Sequence, residues 1–92
     1  MTRITHNADQ NRYELFLDDA LASIAEYRLD GEKVVIFHTE TSGQFRGRGL
    51  AAELVQWTLN DVRERGLTVV PDCWFVADFI KAHPEYRDLV AA

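Results

Sequence analysis

Gln44-Phe45-Arg46-Gly47-Arg48-Gly49 stands between an apolar, strand-like run, Val34-Val35-Ile36-Phe37, and a strongly helical run from Leu50 to Arg65. A strand, a short loop with two glycines and a helix start together make a phosphate holder. The glycines let the backbone turn its N–H groups toward one point. The helix start adds donors that have no partner in the helix and a positive dipole end, equivalent to roughly half a charge. Two arginines in the same loop add full positive charges.

Outward from this loop, the sequence has two halves. Before it, residues alternate. Tyr13, Leu15 and Leu17 are offset from Glu14, Phe16 and Asp18, and Leu21 to Leu29 alternate in the same way. That is the period of half-buried strands. Asp18-Asp19 and Asp30-Gly31 are turn signals. The spacing predicts an antiparallel meander over 11–18, 20–29 and 33–41, with 3–7 as a short edge strand. After the loop the period becomes helical. Leu50, Leu54 and Trp57 form one stripe, with Ala51, Val55, Leu59 and Val62 beside it. Gly66 follows a basic last turn, as a helix-ending glycine does. Leu67-Thr68-Val69-Val70 reads as a strand ended by Pro71. Asp72 is placed to cap a helix from about Cys73 to Ala82, which His83-Pro84 stops. Leu89 and Val90 are left for packing. The result is an α/β chain with a mixed sheet, ordered β-β-β-α-β-α. A right-handed crossover through the long helix sets the last strand parallel to 33–41.

The chain has 92 residues, read as a single domain over 1–92, with 47% hydrophobic and 11% aromatic residues. That is enough for one core and leaves no room for a second. Fifteen acidic residues against 10 basic ones give a net charge of −5, which argues against nucleic acid and against a polybasic membrane patch. No run approaches the ~18 apolar residues of a membrane span, and the first residues lack an apolar signal core. With one cysteine, Cys73, no intrachain disulfide is possible, and a reduced, cytoplasmic setting is expected. A monomer or a homodimer fits equally. No two histidines show ligand spacing with Cys73, so no metal site is expected. His6, in a polar run, is expected in solvent, and His83 is expected to close its helix.

Three phosphate loops compete. A P-loop needs a lysine and a Ser or Thr after its last glycine, and Leu50-Ala51 stand there instead. A dinucleotide fingerprint is nearer, because Gly47-x-Gly49-x-x-Ala52 has its form and Asp72 lies where a ribose-binding acid belongs. But Thr41 to Arg46 separate the strand from the glycines, and the roughly 20 residues after Asp72 leave no room for further βα units. The third is the acetyl-CoA loop of the GNAT acyltransferases. Gln44-Phe45-Arg46-Gly47-Arg48-Gly49 fits their Q/R-x-x-G-x-G/A pattern at every fixed position. His38-Thr39-Glu40, Pro71-x-Cys73 and His83-Pro84-Glu85-Tyr86 add to the likeness. Over residues 11–88 the chain resembles the small single-domain GNAT proteins of the NATD1-like type.

The resemblance implies a GNAT core that binds acetyl-CoA. Backbone N–H groups of Phe45, Arg46, Gly47, Arg48, Gly49, Leu50 and Ala51, introduced by Gln44, would wrap the pyrophosphate. Pantetheine would lie between strands 33–41 and 67–70, pairing with the backbone from Thr39 to Thr41. The implied activity is N-acetyl transfer to an amine, either a small molecule or a protein group. The alternative is a module that binds CoA or acetyl-CoA without catalysis. Relative to larger GNAT enzymes, the chain lacks the two helices that usually follow the first strand. It also has no tyrosine on the helix after strand 67–70, where many members carry their general acid. Cys73, at a helix start that lowers a thiol pKa, is the substitute. It could protonate the leaving thiolate or accept the acetyl group. His38 and Glu40 share one strand face by alternation, with Ile36 and Val34 continuing that face inward. Either could take the amine proton.

Overall fold

In the computed structural model, which describes residues 1–92, the alternating first half is an antiparallel meander. Its strands are β1 (Thr2–Asn7), β2 (Arg12–Leu17), β3 (Ala20–Asp30) and β4 (Lys33–Thr41). Helix α1 (Leu50–Glu64) leads to β5 (Thr68–Pro71), and helix α2 (Trp74–Ala82) follows. The sheet order is β1-β2-β3-β4-β5, and only the β4–β5 pair is parallel. The mixed α/β sheet stands as expected. Its edge strand is fuller than expected, with β1 pairing β2 from Thr2↔Leu17 to Asn7↔Arg12.

Turn chemistry sets the hairpins. Asp18 and Asp19 both take positive φ (48° and 71°), the mirror-image turn that suits a twisted hairpin. The next turn is made by Gly31 and Glu32, one residue later than the Asp30-Gly31 signal, and Gly31 supplies its positive φ of 62°.

The apolar stripe of α1 seats it on the sheet. Leu50, Leu54, Val55, Leu59 and Val62 join Tyr13, Leu15, Ala25, Tyr27, Val34, Ile36 and Val69 in one buried cluster. Trp57, expected on this stripe, is 38% exposed and meets Tyr13 edge to face. Gly66 (φ 70°) ends the helix, with Leu67 N–H donating to Val62 O at 3.1 Å. Helix α2 packs on the same face through Val76, Phe79 and Ile80. The His83 ring bonds Phe79 O at 2.8 Å, so His83 does close α2. Arg63 clamps Asp88 with both terminal nitrogens, and Tyr86 donates to Asn60, tying the C-terminal turn to α1. The chain then lies along the outer edge of β5, where Leu89 is buried and Ala91 N–H bonds Val69 O.

Both helices therefore cover one face, and the molecule is only 19 Å deep along its shortest axis, the depth of one helix layer on one sheet. The other face carries Arg12, Glu14, Ile24, Glu26, Arg28 and Glu40 and has no helix over it.

His6 is not in solvent. It stacks on Tyr13 with ring centroids 4.2 Å apart, and its Nε2 pairs with the Tyr27 hydroxyl at 2.5 Å. Its Nδ1 faces Asp61, which also accepts from Tyr13 (2.6 Å) and Arg65 (2.7 Å). Alternation along β1 turns His6 toward α1, and the polar run around it concealed this. Burial and then Arg65 lower the His6 pKa, against the opposing pull of Asp61. The unfolded chain therefore binds this proton first, and stability falls as pH drops below the ordinary histidine value of about 6.5. Melting temperature should decline from pH 7 toward pH 5 in the parent protein and much less in His6→Phe. A proton-NMR titration should place the His6 midpoint below 6.5. Leu59, 0% exposed, gives a core control, since Leu59→Ala should cost about 3 kcal/mol in urea unfolding.

Candidate functional site

The site begins where β4 leaves β5. The two strands pair from Lys33↔Thr68 to Ile36↔Pro71 and no further. Asp72 N–H is shared between Ile36 O (2.9 Å) and Val70 O (3.0 Å), so the chain turns sharply at Pro71, whose fixed φ suits such a turn. On β4, the register with β3 slips at the same level. Glu26 faces His38 while Tyr27 faces Ile36, so Phe37 is an extra, bulged residue. Beyond it, β4 stays paired to β3 as far as Ser23↔Thr41 but presents a bare edge to the gap.

The bulge corrects one expectation. Alternation predicts His38 and Glu40 on the face of Ile36 and Val34. The extra residue resets the alternation, and Thr39, opposite the core residue Ala25, takes the helix side instead. His38 and Glu40 lie on the bare side, opposite Glu26 and Ile24, with His38 Nε2 and Glu40 Oε1 3.1 Å apart.

The gap is a cleft of about 500 Å³, lined by Phe37, His38, Thr39, Glu40, Thr41, Arg46, Ala51, Cys73, Trp74 and Phe75. A second hollow of about 280 Å³ shares Thr41, Arg46, Ala51 and Phe75 with it and extends over Phe45, Gly47, Gly49, Leu50 and Ala52. The two form one bent groove, from the start of α1 to Cys73. Most of the candidate residues lie along it. Gln44 and Arg48 line neither part, and the Arg48 guanidinium lies 5.8 Å from the centre of the Phe45 ring. Sequence reading missed Phe37, Ala52, Trp74 and Phe75 as lining residues. The structure leaves Phe37, in the middle of β4, and Trp74, at the start of α2, 45% and 75% exposed.

At the helix end of the groove, no N–H from Gly47 to Ala52 has an acceptor within the chain, and the first helical bond is Glu53 N–H to Gly49 O. Gly47 (φ 83°) and Gly49 (φ 74°) turn these amides. A Cβ at either would meet nothing within 4 Å, so glycine serves the backbone shape and not a close approach. The free run starts later than expected. Phe45 and Arg46 already donate to Ser42 O and Gly43 O in a 3₁₀ turn. Arg46 Nε also covers Thr41 O at 3.2 Å.

At the other end, Cys73 is the residue from which α2 starts, a place the sequence assigned to Asp72. Its Sγ is 3.5 Å from the Thr39 hydroxyl, and the Val76 and Phe75 N–H groups point toward it without closing a cap. Burial pushes the thiol pKa up. The Thr39 hydroxyl and these amides outweigh that, and the pKa is lowered below the ordinary value of 9.0. No group of His, Cys, Asp and Glu side chains is arranged to hold a metal ion, and no helix is long and apolar enough to cross a membrane.

A family model described as GCN5-related N-acetyl-transferase matches residues 12–89. The chain belongs to this family. Among relatives, protein NATD1 of Bos taurus is 29% identical over 84 residues, 89% of this chain and 74% of that one. A GCN5-like protein from Staphylococcus aureus, solved by NMR, superposes with a TM-score of 0.74 at 21% identity, over 98% of this chain and 88% of that one. The PaiA N-acetyltransferase of Thermoplasma acidophilum, crystallised with coenzyme A, shares the fold over 61% of this chain and 35% of its own at 12% identity, with a TM-score of 0.56.

Two outcomes follow from this geometry. Gly49→Ala should cost about 1–2 kcal/mol from left-handed backbone strain alone, read by urea unfolding. The pH midpoint of Cys73 alkylation by iodoacetamide should lie below 9.0 and move upward in Thr39→Val, which removes the hydroxyl but keeps the shape.

Proposed function

We propose that this chain is an N-acetyltransferase that binds acetyl-CoA in the bent groove and passes the acetyl group to a primary amine. One observation carries the reading. The unsatisfied amides from Gly47 to Ala52 open onto a cleft that ends at a thiol and a carboxylate. Helix-start N–H groups without acceptors, aimed the same way as the helix dipole, favour negative charge, so a run of six that faces the groove fits an anionic ligand. A diphosphate suits it, with Arg46 at the bend to add charge. The bare β4 edge past Phe37 offers N–H and C=O groups to the amides of a pantetheine arm. A lone reduced thiol in the groove also fits the cytoplasm.

Acetyl-CoA, when bound, supplies the acetyl group as a thioester. The chain's own residues then handle protons. An ammonium must lose a proton before its nitrogen can attack, and Glu40, on the bare side and steadied by His38, accepts it. Cys73, across the cleft beside Thr39, gives a proton to the departing sulfur. One C–N bond forms and one C–S bond breaks. The ammonium sheds two protons in all: the first ends on Glu40, and the second, lost from nitrogen once the C–N bond has formed, returns to Cys73, whose own proton has gone to the released thiol. In the covalent variant, the Cys73 thiolate accepts the acetyl group first and the amine then displaces it from Cys73. The lowered thiol pKa serves this variant better than proton donation. An acetyl adduct on Cys73 by rapid-quench intact mass separates the two routes.

A second reading has one observation in its favour. No helix walls the bare side of the cleft, so the chain could bind acetyl-CoA without holding an amine. Thermal shift and turnover decide between them. Acetyl-CoA at ~100 times its dissociation constant should stabilise the protein by ~2.7 kcal/mol, and Gly47→Val with Gly49→Val should erase the shift. Stabilisation by NAD but not by CoA would sink both readings. Amine-dependent CoA release that is lost in Glu40→Gln or Cys73→Ala supports transfer. Stabilisation with no release from any amine leaves only the binding module.

A further inference from the structure

Phe37 and Trp74 are the two most exposed of the chain's Phe, Tyr and Trp side chains, and both line the cleft that holds Cys73. A single exposed apolar residue is ordinary. Two from separate elements around one hollow make a patch that a ligand can cover. Both stand next to the sulfur end. Trp74 follows Cys73 directly, and Phe37 is two residues along β4 from Thr39, whose hydroxyl meets the Cys73 thiol. Thr41 lines both parts of the groove, whereas Thr39 and Phe37 line only the cleft. The lining on β4 thus runs from the α1 start to Thr39 and the thiol it meets, and then on to Phe37. Two strand residues span about 7 Å. An acetyl group adds one methyl beyond its carbonyl and cannot cover that distance. No helix walls the bare side of the cleft, so nothing stops a chain that runs past the thiol. Beyond Arg46 at the bend no lysine or arginine lines the cleft, while the Glu40 carboxylate does, so a chain ending in a carboxylate meets repulsion and no cation.

Resting on the coenzyme reading of the groove, we propose that the thioester it holds best carries a linear, uncharged acyl chain of butyryl to hexanoyl length, laid over Phe37 and Trp74. Acetyl is then the shortest of the series, and chains that end in a carboxylate are disfavoured. Each methylene moved from water onto the rings raises affinity about fourfold if fully buried and about twofold if half-buried. The cleft is open, so the half-buried figure applies.

The test measures dissociation constants by titration calorimetry for CoA and for its ethyl, butyl, hexyl and carboxypropyl thioethers, which cannot pass an acyl group to Cys73. Affinity should rise from ethyl through butyl to hexyl, with a hexyl-to-ethyl ratio of about 16 for four half-buried methylenes. The carboxypropyl thioether should bind more weakly than the butyl. The ratio should fall to about 4 in Trp74→Ala and in Phe37→Ala, each of which removes one of the two rings. Trp74→Leu, which restores apolar surface, should recover most of it. The ratio is internal to each variant, so a general change in coenzyme affinity cancels. A hexyl thioether no tighter than the ethyl, a ratio unmoved in both Trp74→Ala and Phe37→Ala, or a carboxypropyl thioether as tight as the butyl overturns the proposal and leaves coenzyme binding standing. No binding of CoA or of any thioether by the parent protein removes the coenzyme reading and this proposal with it.

Discussion

The parting of two parallel strands is the constraint on which everything else here depends. β4 and β5 are hydrogen-bonded up to Ile36 and Pro71, and then both deviate at the same level. β4 gains a residue, Phe37, and β5 turns at Pro71. Neither change costs the sheet much, because β4 keeps its other neighbour, β3, as far as Thr41. The opening is therefore held by backbone geometry and not by a wedge of side chains. The same bulge moves His38 and Glu40 through the sheet, so that Thr39 and Cys73 meet on one side while the carboxylate stands on the other.

The glycine loop works only because α1 is fixed. Its buried stripe, from Leu50 to Val62, is anchored in the main cluster, and the C-terminal turn braces it through Arg63 and Asn60. Leu50 is both the first residue of the helix and a core residue. The free amides just before and after it are thus aimed by apolar packing. A helix start held only by a surface loop would fray, and its dipole would point at nothing in particular.

Much of this was legible in the sequence, and the reasons are local. The loop, α1 and the parallel fifth strand follow from glycine spacing, a helical period and the handedness of crossovers, all of which act over short stretches of chain. The Phe37 bulge is different. Val34 to Phe37 read as one smooth apolar run, and nothing in those residues marks an extra one against β3. The side-chain orientation of every later residue in β4 depends on that slip, so Glu40 was assigned the right neighbour, His38, on the wrong face. His6 was misread for a related reason. Its partners, Tyr13, Tyr27 and Asp61, come from three separate elements, and no local window contains them. Phe37, inside a strand, and Trp74, at a helix start, read as core because a large apolar side chain is taken as buried until its exposure is known.

The one-sided arrangement of helices has a consequence for how such a protein can change over time. The charged side chains of the uncovered sheet face take no part in the buried cluster. Substitutions there can change the charge of the face without loosening the interior, whereas the residues that aim the amides also form the interior and have little freedom to drift. The charged side chains of that face and the cluster that fixes the helices thus lie on opposite surfaces of a single layer of strands.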